Sequence, residues 1–143
     1  MLSYDVTQFI TDGCCCDALQ GKRIDFSYWR ALRVIEIGSH SFQYVTGVDI
    51  VGLSQLERVV IGRNCFSQEP VLSDEGVIPH FAVKDCERLK ELRIGRKSFC
   101  YYGICEIDNN AALEVIEMGK MDEASDSFMS GNLKTTSTLY SRE

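Results

Sequence analysis

The sequence predicts a repeat solenoid of mostly β structure, with two short parallel strands in each coil, turns and irregular segments between them, and little helix. Three observations lead to this prediction. One apolar pattern occurs four times, most copies are spaced by a number of residues in the twenties, and the apolar residues within each copy alternate. A unit of this size cannot bury its own apolar face, so neighbouring units are expected to stack.

The four copies share an opening leucine, two further apolar residues and a closing glycine, and their starts lie 24, 33 and 24 residues apart. They read Leu32-x-x-Ile35-x-Ile37-Gly38, Leu56-x-x-Val59-x-Ile61-Gly62, Leu89-x-x-Leu92-x-Ile94-Gly95 and Leu113-x-x-Ile116-x-Met118-Gly119. The alternation predicts one strand per copy. We expect the glycine in a sharp turn, because it adopts a positive φ at little cost.

A second pair of alternating apolar residues precedes each leucine and predicts the other strand of the coil. The pairs are Ile24 and Phe26, Val48 and Ile50, Phe81 and Val83, and Cys105 and Ile107. A small residue followed by phenylalanine comes after the glycine in three copies. These pairs are Ser41-Phe42, Cys65-Phe66 and Ser98-Phe99.

We predict a single solenoid domain over residues 1–143. Residues 1–23 are expected to form a degenerate repeat or cap, because Val6-x-x-Phe9-Ile10-x-x-Gly13 starts 26 residues ahead of Leu32. Residues 24–140 are expected to form about four and a half coils. The 33-residue step is explained by an inserted loop at 67–80, which contains both prolines and residues typical of turns.

The last part of the chain is expected to contain a polar bulge and an incomplete coil. The bulge is predicted over residues 120–126, and the fifth coil begins with Leu133 as its strand anchor and Leu139 as its opening leucine. An open coil of this kind would expose strand edges, so self-association or membership of a longer repeat array is a further expectation.

The repeated Leu-x-x-Ile-x-Ile-Gly motif followed by Ser-Phe resembles the leucine-rich-repeat superfamily over residues 24–140. It is similar to the atypical repeats of BspA-like surface proteins and of related families in microbial eukaryotes. The asparagine ladder of standard leucine-rich repeats is replaced by glycine, which favours a flatter coil. The resemblance implies a role in protein recognition and no reaction.

Charge and hydropathy exclude several classes of function. A net charge of −6 argues against generic binding to nucleic acid or to anionic membranes. No apolar stretch approaches the roughly 20 residues that span a bilayer. Residues 1–20 lack the basic start and apolar block of a signal peptide, so we expect a cytoplasmic protein.

The seven cysteines do not form the pattern of a disulfide framework. Cys65, Cys86 and Cys105 occupy apolar columns of the repeat and are expected to be buried packing residues. The run at 14–16 is expected to belong to the cap, with S-acylation or metal binding as less favoured alternatives.

No catalytic, cofactor or metal site is predicted. His40 falls in a turn and His80 at the end of the inserted loop, so the repeat does not place either beside a thiol as a nucleophile–base pair requires. The repeat pattern also accounts for the glycines, which leaves no phosphate-binding loop. We therefore expect a protein that is not an enzyme.

Basic residues fall in neighbouring columns of the predicted coils, and these columns are the candidate binding surface for a protein partner. The column after the glycine reads Ser39, Arg63, Arg96 and Lys120, with Lys97 beside it, and outward strand positions add Arg58 and Arg93. The partner-binding hypothesis therefore names Arg58, Arg63, Arg93, Arg96 and Lys97.

The other strand carries an acidic column, which reads Asp25, Asp49, Ala82 and Glu106, with Asp108 beside it. Charges that flank strands also keep solenoids soluble and unstacked, which is the alternative explanation of both columns. The function expected from the sequence is a non-enzymatic module that binds another protein. If the basic column forms the contact, the bound protein is expected to be acidic. A structural or adhesin-like surface repeat is the alternative.

Overall fold

A computed structural model describes residues 6–14, 22–67, 78–118 and 132–135, with Met118 and the last range described by their backbone only. Most of the inserted loop, the predicted bulge at 120–126, Leu139, Cys15 and Cys16 lie outside the described residues. Within them, the chain is almost entirely strand and turn, with one short 3-10 helix at Phe26–Tyr28.

The described part of the chain forms ten short strands. They are β1 (Gln8–Thr11), β2 (Arg23–Asp25), β3 (Val34–Ile37), β4 (Gly47–Val51), β5 (Arg58–Ile61), β6 (His80–Lys84), β7 (Glu91–Ile94), β8 (Ile104–Asp108), β9 (Val115–Met118) and β10 (Asn132–Thr135). The predicted mostly β structure with little helix is confirmed.

Successive strands alternate between two five-stranded parallel sheets. The odd sheet has the order β1-β3-β5-β7-β9, and the even sheet has the order β10-β8-β6-β4-β2. All the pairs are parallel, as predicted. Among the described strands, sequence neighbours therefore do not pair with each other, and each inner strand pairs with the strands one repeat before and after it.

The pairing register follows the apolar columns of the sequence. In the odd sheet one row reads Phe9, Ile35, Val59, Leu92 and Ile116. In the even sheet one row reads Ile24, Val48, Phe81, Cys105 and Leu133. Strand β1 pairs with β3 in the register that the degenerate repeat predicts. Leu133, expected beside Ile107 because it lies six residues before Leu139, pairs instead with Cys105, so the predicted register of the fifth coil was wrong by two residues.

Inward side chains of both sheets form one buried cluster. The opening leucines belong to it, with Leu32, Leu56 and Leu89 fully buried and Leu113 8% exposed. Burial of these rows supplies the main favourable free energy of folding, because apolar area removed from water scales with stabilisation.

The phenylalanines after the glycine turns stack on one another inside this cluster. The ring centroids of Phe42 and Phe66 are 5.7 Å apart with an interplanar angle of 11°. Those of Phe66 and Phe99 are 4.7 Å apart at 6°. Phe9 extends the series at 6.5 Å from Phe42. We call these four residues the phenylalanine stack.

The glycines that follow β3, β5 and β7 have a different role from the one predicted. Among the described glycines only Gly52 has a positive φ, of 71°. A Cβ atom on Gly62 would lie 2.6 Å from the amide nitrogen of Ser39, and one on Gly95 would lie 2.6 Å from the carbonyl carbon of Gly62. Glycine is therefore required by the close approach of neighbouring turns, and the expectation of a positive φ was wrong.

The positive φ angles fall instead on residues with side chains. One column comprises Cys14, His40, Asn64 and Lys97, with φ between 55° and 61°. A second column follows the even strands and comprises Gly52, Asp85 and Asn109. We call each repeat, with its one odd and one even strand, a rung. Hydrogen bonds between neighbouring rungs support this left-handed backbone, for example from the Gly52 N–H to the Lys84 carbonyl at 2.9 Å.

The inserted loop ends one residue earlier than the sequence indicated. His80 is the first residue of β6, where it pairs with Gly47 and Ile104. The Pro79 carbonyl accepts from the Gly103 N–H at 3.0 Å, which ties the residue before the strand to the next rung. The 33-residue step thus leaves the register of both sheets unchanged.

Candidate functional site

The structure divides the five predicted partner-binding residues between two places. Arg58 is the first residue of β5 and Arg93 the third of β7, so both lie on the strands of the odd sheet. Arg63, Arg96 and Lys97 lie in the turns that follow these strands. The chemical surroundings of the two groups differ.

Arg58 and Arg93 belong to a chain of ion pairs that crosses four strands. Arg58 lies 3.3 Å from Glu36 and 3.8 Å from Glu91. Arg93 lies 3.2 Å from Glu91 and also pairs with Glu117. We call these five residues the ionic ladder.

The ionic ladder leaves little unpaired positive charge on this face of the odd sheet. Its three carboxylates face two guanidinium groups, and the arginine side chains are only 48% and 41% exposed. A partner that took up either arginine would have to displace a carboxylate that already holds it. The ladder is therefore a weaker candidate for binding an acidic partner than the turns.

We define the turn edge as residues 39–40, 63–64 and 96–97, which follow β3, β5 and β7. Its backbone is fixed by hydrogen bonds between rungs. The His40 N–H donates to the Arg63 carbonyl at 2.8 Å, and the Asn64 N–H donates to the Arg96 carbonyl at 2.9 Å. The Arg63 N–H donates to the Ser39 hydroxyl at 3.0 Å. These bonds place Arg63 and Arg96 on adjacent rungs.

The turn edge is a positively charged region of an acidic chain. It carries Arg63, Arg96 and Lys97, and no residue within it is acidic. Arg63 and Lys97 are exposed, and neither forms an ion pair with a described residue. Arg96 is half-buried beside them. Cations in this setting attract an acidic surface at long range.

A groove lies where the odd strands begin, and its charges alternate in sign from rung to rung. It has a volume of about 380 Å³ and is lined by Thr7, Gln8, Arg33, Val34, Glu57, Arg58, Lys90 and Glu91. Arg33 pairs with Glu57 at 2.8 Å. Because positive and negative side chains alternate, the groove does not favour a ligand of one particular charge.

The predicted acidic column of the even sheet lies in register, but cations accompany its carboxylates. Asp49 pairs with Arg23 at 2.6 Å and lies 3.0 Å from His80 Nε2. Glu106 pairs with Lys84. Burial acts to raise the pKa of Asp49, but the hydrogen bonds from Arg23 and His80 outweigh it, and the net pKa is lowered.

A second groove, of about 370 Å³, is lined by residues that include Asp49, His80, Ala82, Lys84 and Glu106. Ala82 lies between Asp49 and Glu106 in the same row of the even sheet. Because Asp49 pairs with Arg23 and Glu106 with Lys84, both carboxylates of this groove are already paired with cations.

The cysteines of the repeat are buried, as predicted. Cys65, Cys86 and Cys105 are fully buried. Burial raises the pKa of the Cys65 thiol, that of Cys86 to about 11 and that of Cys105 to about 12. At neutral pH these thiols are protonated, and a protonated thiol is a poor nucleophile and metal ligand.

Cys65 also replaces the serine of other repeats in its hydrogen bonding. Its Sγ lies 3.2 Å from the Gly38 carbonyl, and the Ser98 hydroxyl donates to the Gly62 carbonyl at 2.7 Å one rung later. These side chains connect adjacent turns and so contribute to the geometry of the turn edge.

No group of three or more His, Cys, Asp or Glu in the described ranges is arranged to hold a metal ion.

Asn110 is a buried asparagine that joins two rungs of the even sheet, and it was not predicted from the sequence. It is 2% exposed, accepts from the Cys86 N–H at 3.0 Å and donates to the Val83 carbonyl at 3.0 Å. It occupies the column of Leu53 and Cys86. A polar residue in an otherwise apolar column was the signal that could have identified it.

Within the part of the chain that the structure describes, no helix has the length and apolar character needed to cross a membrane. Comparisons with protein-family models, with curated proteins and with solved structures find no match to this chain.

Proposed function

We propose that this chain is a non-enzymatic protein-interaction module, built as a leucine-rich-repeat-type solenoid, whose turn edge contacts an acidic protein partner. The observation that carries the proposal is the contrast between the ionic ladder and the turn edge. The ladder satisfies its own charges, whereas Arg63 and Lys97 project into solvent without a carboxylate among the described residues.

The alternation of strands between two parallel sheets supports the solenoid. In such a stack each rung repeats the same outward positions, so a partner meets columns of side chains on a rigid backbone. The free thiols of the described cysteines support a reducing compartment, and we propose the cytoplasm.

The proposal is tested by affinity capture from a lysate of the source cell, at about 0.15 M and about 0.5 M salt, with mass spectrometry of the captured proteins. Higher salt shortens the Debye length from about 8 Å to about 4 Å, so a charge-steered complex is weakened. We expect one or more acidic partners to be captured at low salt and lost at high salt.

The decisive variant is Arg63→Glu/Lys97→Glu, and its matched control is Arg30→Glu/Lys90→Glu. All four residues are exposed cations, so both double variants change the net charge equally. We expect only the turn-edge variant to lose the partner, with both retaining the far-UV circular dichroism of the wild type. Equal capture by the two variants would refute the turn edge as the contact.

A further inference from the structure

We propose that the turn edge recognises a phosphomonoester group, presented by a phosphorylated peptide segment of the partner. The inference rests on the proposed function and names the chemistry that this surface fits. The structure points to it through the spacing and exposure of Arg63 and Lys97 and through the use of several local amides within the fold.

The basic residues of the turn edge lie on neighbouring rungs. The Asn64 N–H bonds the Arg96 carbonyl at 2.9 Å, and the Cβ position of Gly95 lies 2.6 Å from the Gly62 carbonyl carbon, so the two turns are in direct contact. Adjacent rungs of a sheet lie about 4.8 Å apart. Arg63 and Lys97 therefore lie on adjacent rungs, and their long side chains can reach a single ligand group.

The positive charge of the turn edge suits a phosphomonoester better than a single carboxylate. A phosphomonoester carries a charge of about −1.5 to −2 at neutral pH and offers three acceptor oxygens, whereas a carboxylate carries one charge and two oxygens. The Arg63 guanidinium and the Lys97 ammonium are exposed and supply several donors and two positive charges on adjacent rungs. This set is better matched by a dianion than by one carboxylate.

Several backbone amides of the turn edge are already used within the fold. The N–H groups of His40, Arg63 and Asn64 donate to neighbouring turns. These three amides are not available to a ligand, so the exposed Arg63 and Lys97 side chains are the groups proposed to bind it. Replacing individual arginine or lysine side chains should therefore weaken binding without altering the frame that holds them.

The test is a titration of the ¹⁵N-labelled protein, followed by amide chemical shifts, with three synthetic peptides. The first is a flexible Gly/Ser peptide with one phosphoserine, the second is its unphosphorylated twin, and the third carries two adjacent glutamates instead of phosphoserine. We expect the phosphopeptide to shift the amides of residues 39–40, 63–64 and 96–97. The twin should not, and the glutamate peptide should bind at least about fivefold more weakly.

Two single variants and two controls accompany the titration. We expect Arg63→Gln and Lys97→Gln each to weaken phosphopeptide binding by about five- to tenfold, as the loss of one charge-assisted contact does. Arg30→Gln and Lys90→Gln should leave it unchanged. Inorganic phosphate should compete at millimolar concentration, because the phosphoryl group supplies the recognised chemistry.

The outcomes separate this inference from the function on which it rests. Equal binding of the phosphopeptide and the glutamate peptide, with the same loss in the variants, would overturn phosphate recognition and leave a charge-steered edge. Absence of any shift with all three peptides at about 5 mM would also overturn it, and the capture experiment would still decide the proposed function. Loss of the edge dependence in both experiments would refute both.

Discussion

Gly62 and Gly95 show how single residues are constrained by the neighbouring rung. Their own torsion angles are accessible to other amino acids, but a Cβ atom at either position would be placed 2.6 Å from the backbone of the preceding turn. Backbone atoms in a hydrogen-bonded turn cannot move aside as the end of a flexible side chain can. Gly52 is the opposite case, with a φ of 71° and no atom within 4 Å of its Cβ position.

We expect Gly95→Ala to lower the free energy of unfolding by about 1–3 kcal/mol, since it overpacks a close backbone contact. The measurement is urea-induced unfolding followed by circular dichroism. The control is Gly52→Asn, which should change stability by less than about 0.5 kcal/mol because asparagine tolerates this backbone conformation. Asp85 and Asn109 already occupy the equivalent position. A similar loss in both variants would contradict the close-contact explanation.

At the scale of elements, the phenylalanine stack and the ionic ladder both run across the strands, but they differ in energetic weight. Phe66 is fully buried and stacks on Phe42 and Phe99. The ladder's arginines and glutamates are partly exposed, and exposed ion pairs contribute little after solvent screening. The stack is therefore expected to stabilise the turns, whereas the ladder mainly favours the correct register through opposite charges on neighbouring strands.

We expect Phe66→Ala to lower the free energy of unfolding by about 3–5 kcal/mol, because it removes a buried aromatic ring and leaves a cavity. Phe66→Leu should cost less because it retains part of the buried volume. Tyr28→Ala is the control at a 75% exposed aromatic residue and should have little effect. Equal effects of the Phe66→Ala and Tyr28→Ala variants in chemical denaturation would refute the role of the stack.

We expect Arg58→Gln to change the free energy of unfolding by no more than about 1 kcal/mol, because its two ion pairs are partly exposed. Raising the salt concentration to about 0.5 M should narrow the difference between wild type and variant by screening those pairs. Urea unfolding of both proteins at two salt concentrations measures this. A loss above about 2 kcal/mol that is insensitive to salt would show that Arg58 has a packing role.

At the scale of the whole molecule, buried thiol and phenol groups make the stability of the fold decrease at high pH. Burial raises the pKa of Cys86 to about 11, that of Cys105 to about 12 and that of Tyr102 well above its usual value. In the unfolded chain the thiols lose their protons at about pH 8.5. The unfolded state therefore ionises first, and stability is lost as the pH rises from there through the folded-state values.

We expect the free energy of unfolding to be constant from pH 7 to about 8 and to fall progressively between about pH 8.5 and 11. Cys105→Ala should reduce the slope of this fall, whatever its effect on absolute stability. Cys14→Ala, at an exposed position, should leave the slope unchanged. Urea unfolding at several pH values measures the slopes, and identical slopes in the three proteins would contradict a role for the buried thiol.

The columns of the fold could be predicted from the sequence because the spacing of Leu32, Leu56, Leu89 and Leu113 determines which residues meet across rungs. The same arithmetic, counted back from Leu139, placed Leu133 beside Ile107, but Leu133 pairs with Cys105 two positions earlier. The left-handed conformations of His40, Asn64 and Lys97 could not be predicted. The His40 and Asn64 N–H groups donate to carbonyls of the next rung. Asparagine and histidine adopt this conformation more readily than most residues, but such contacts between rungs cannot be derived from the local sequence.

The candidate site was predicted in part. The column that contains Arg63, Arg96 and Lys97 follows from the position of the glycine turn. The pairing of Arg58 and Arg93 with Glu36, Glu91 and Glu117 could not be derived, because it depends on side-chain conformations across rungs.

The 33-residue step between the second and third repeats has a consequence for how such a chain can change during evolution. Strands β5 and β6 lie on either side of the surplus residues, and both pair with their neighbours as strands separated by 24 residues do. Length variation is therefore compatible with the frame at this connection. A genetic insertion there can be retained without changing the register of the strands on either side.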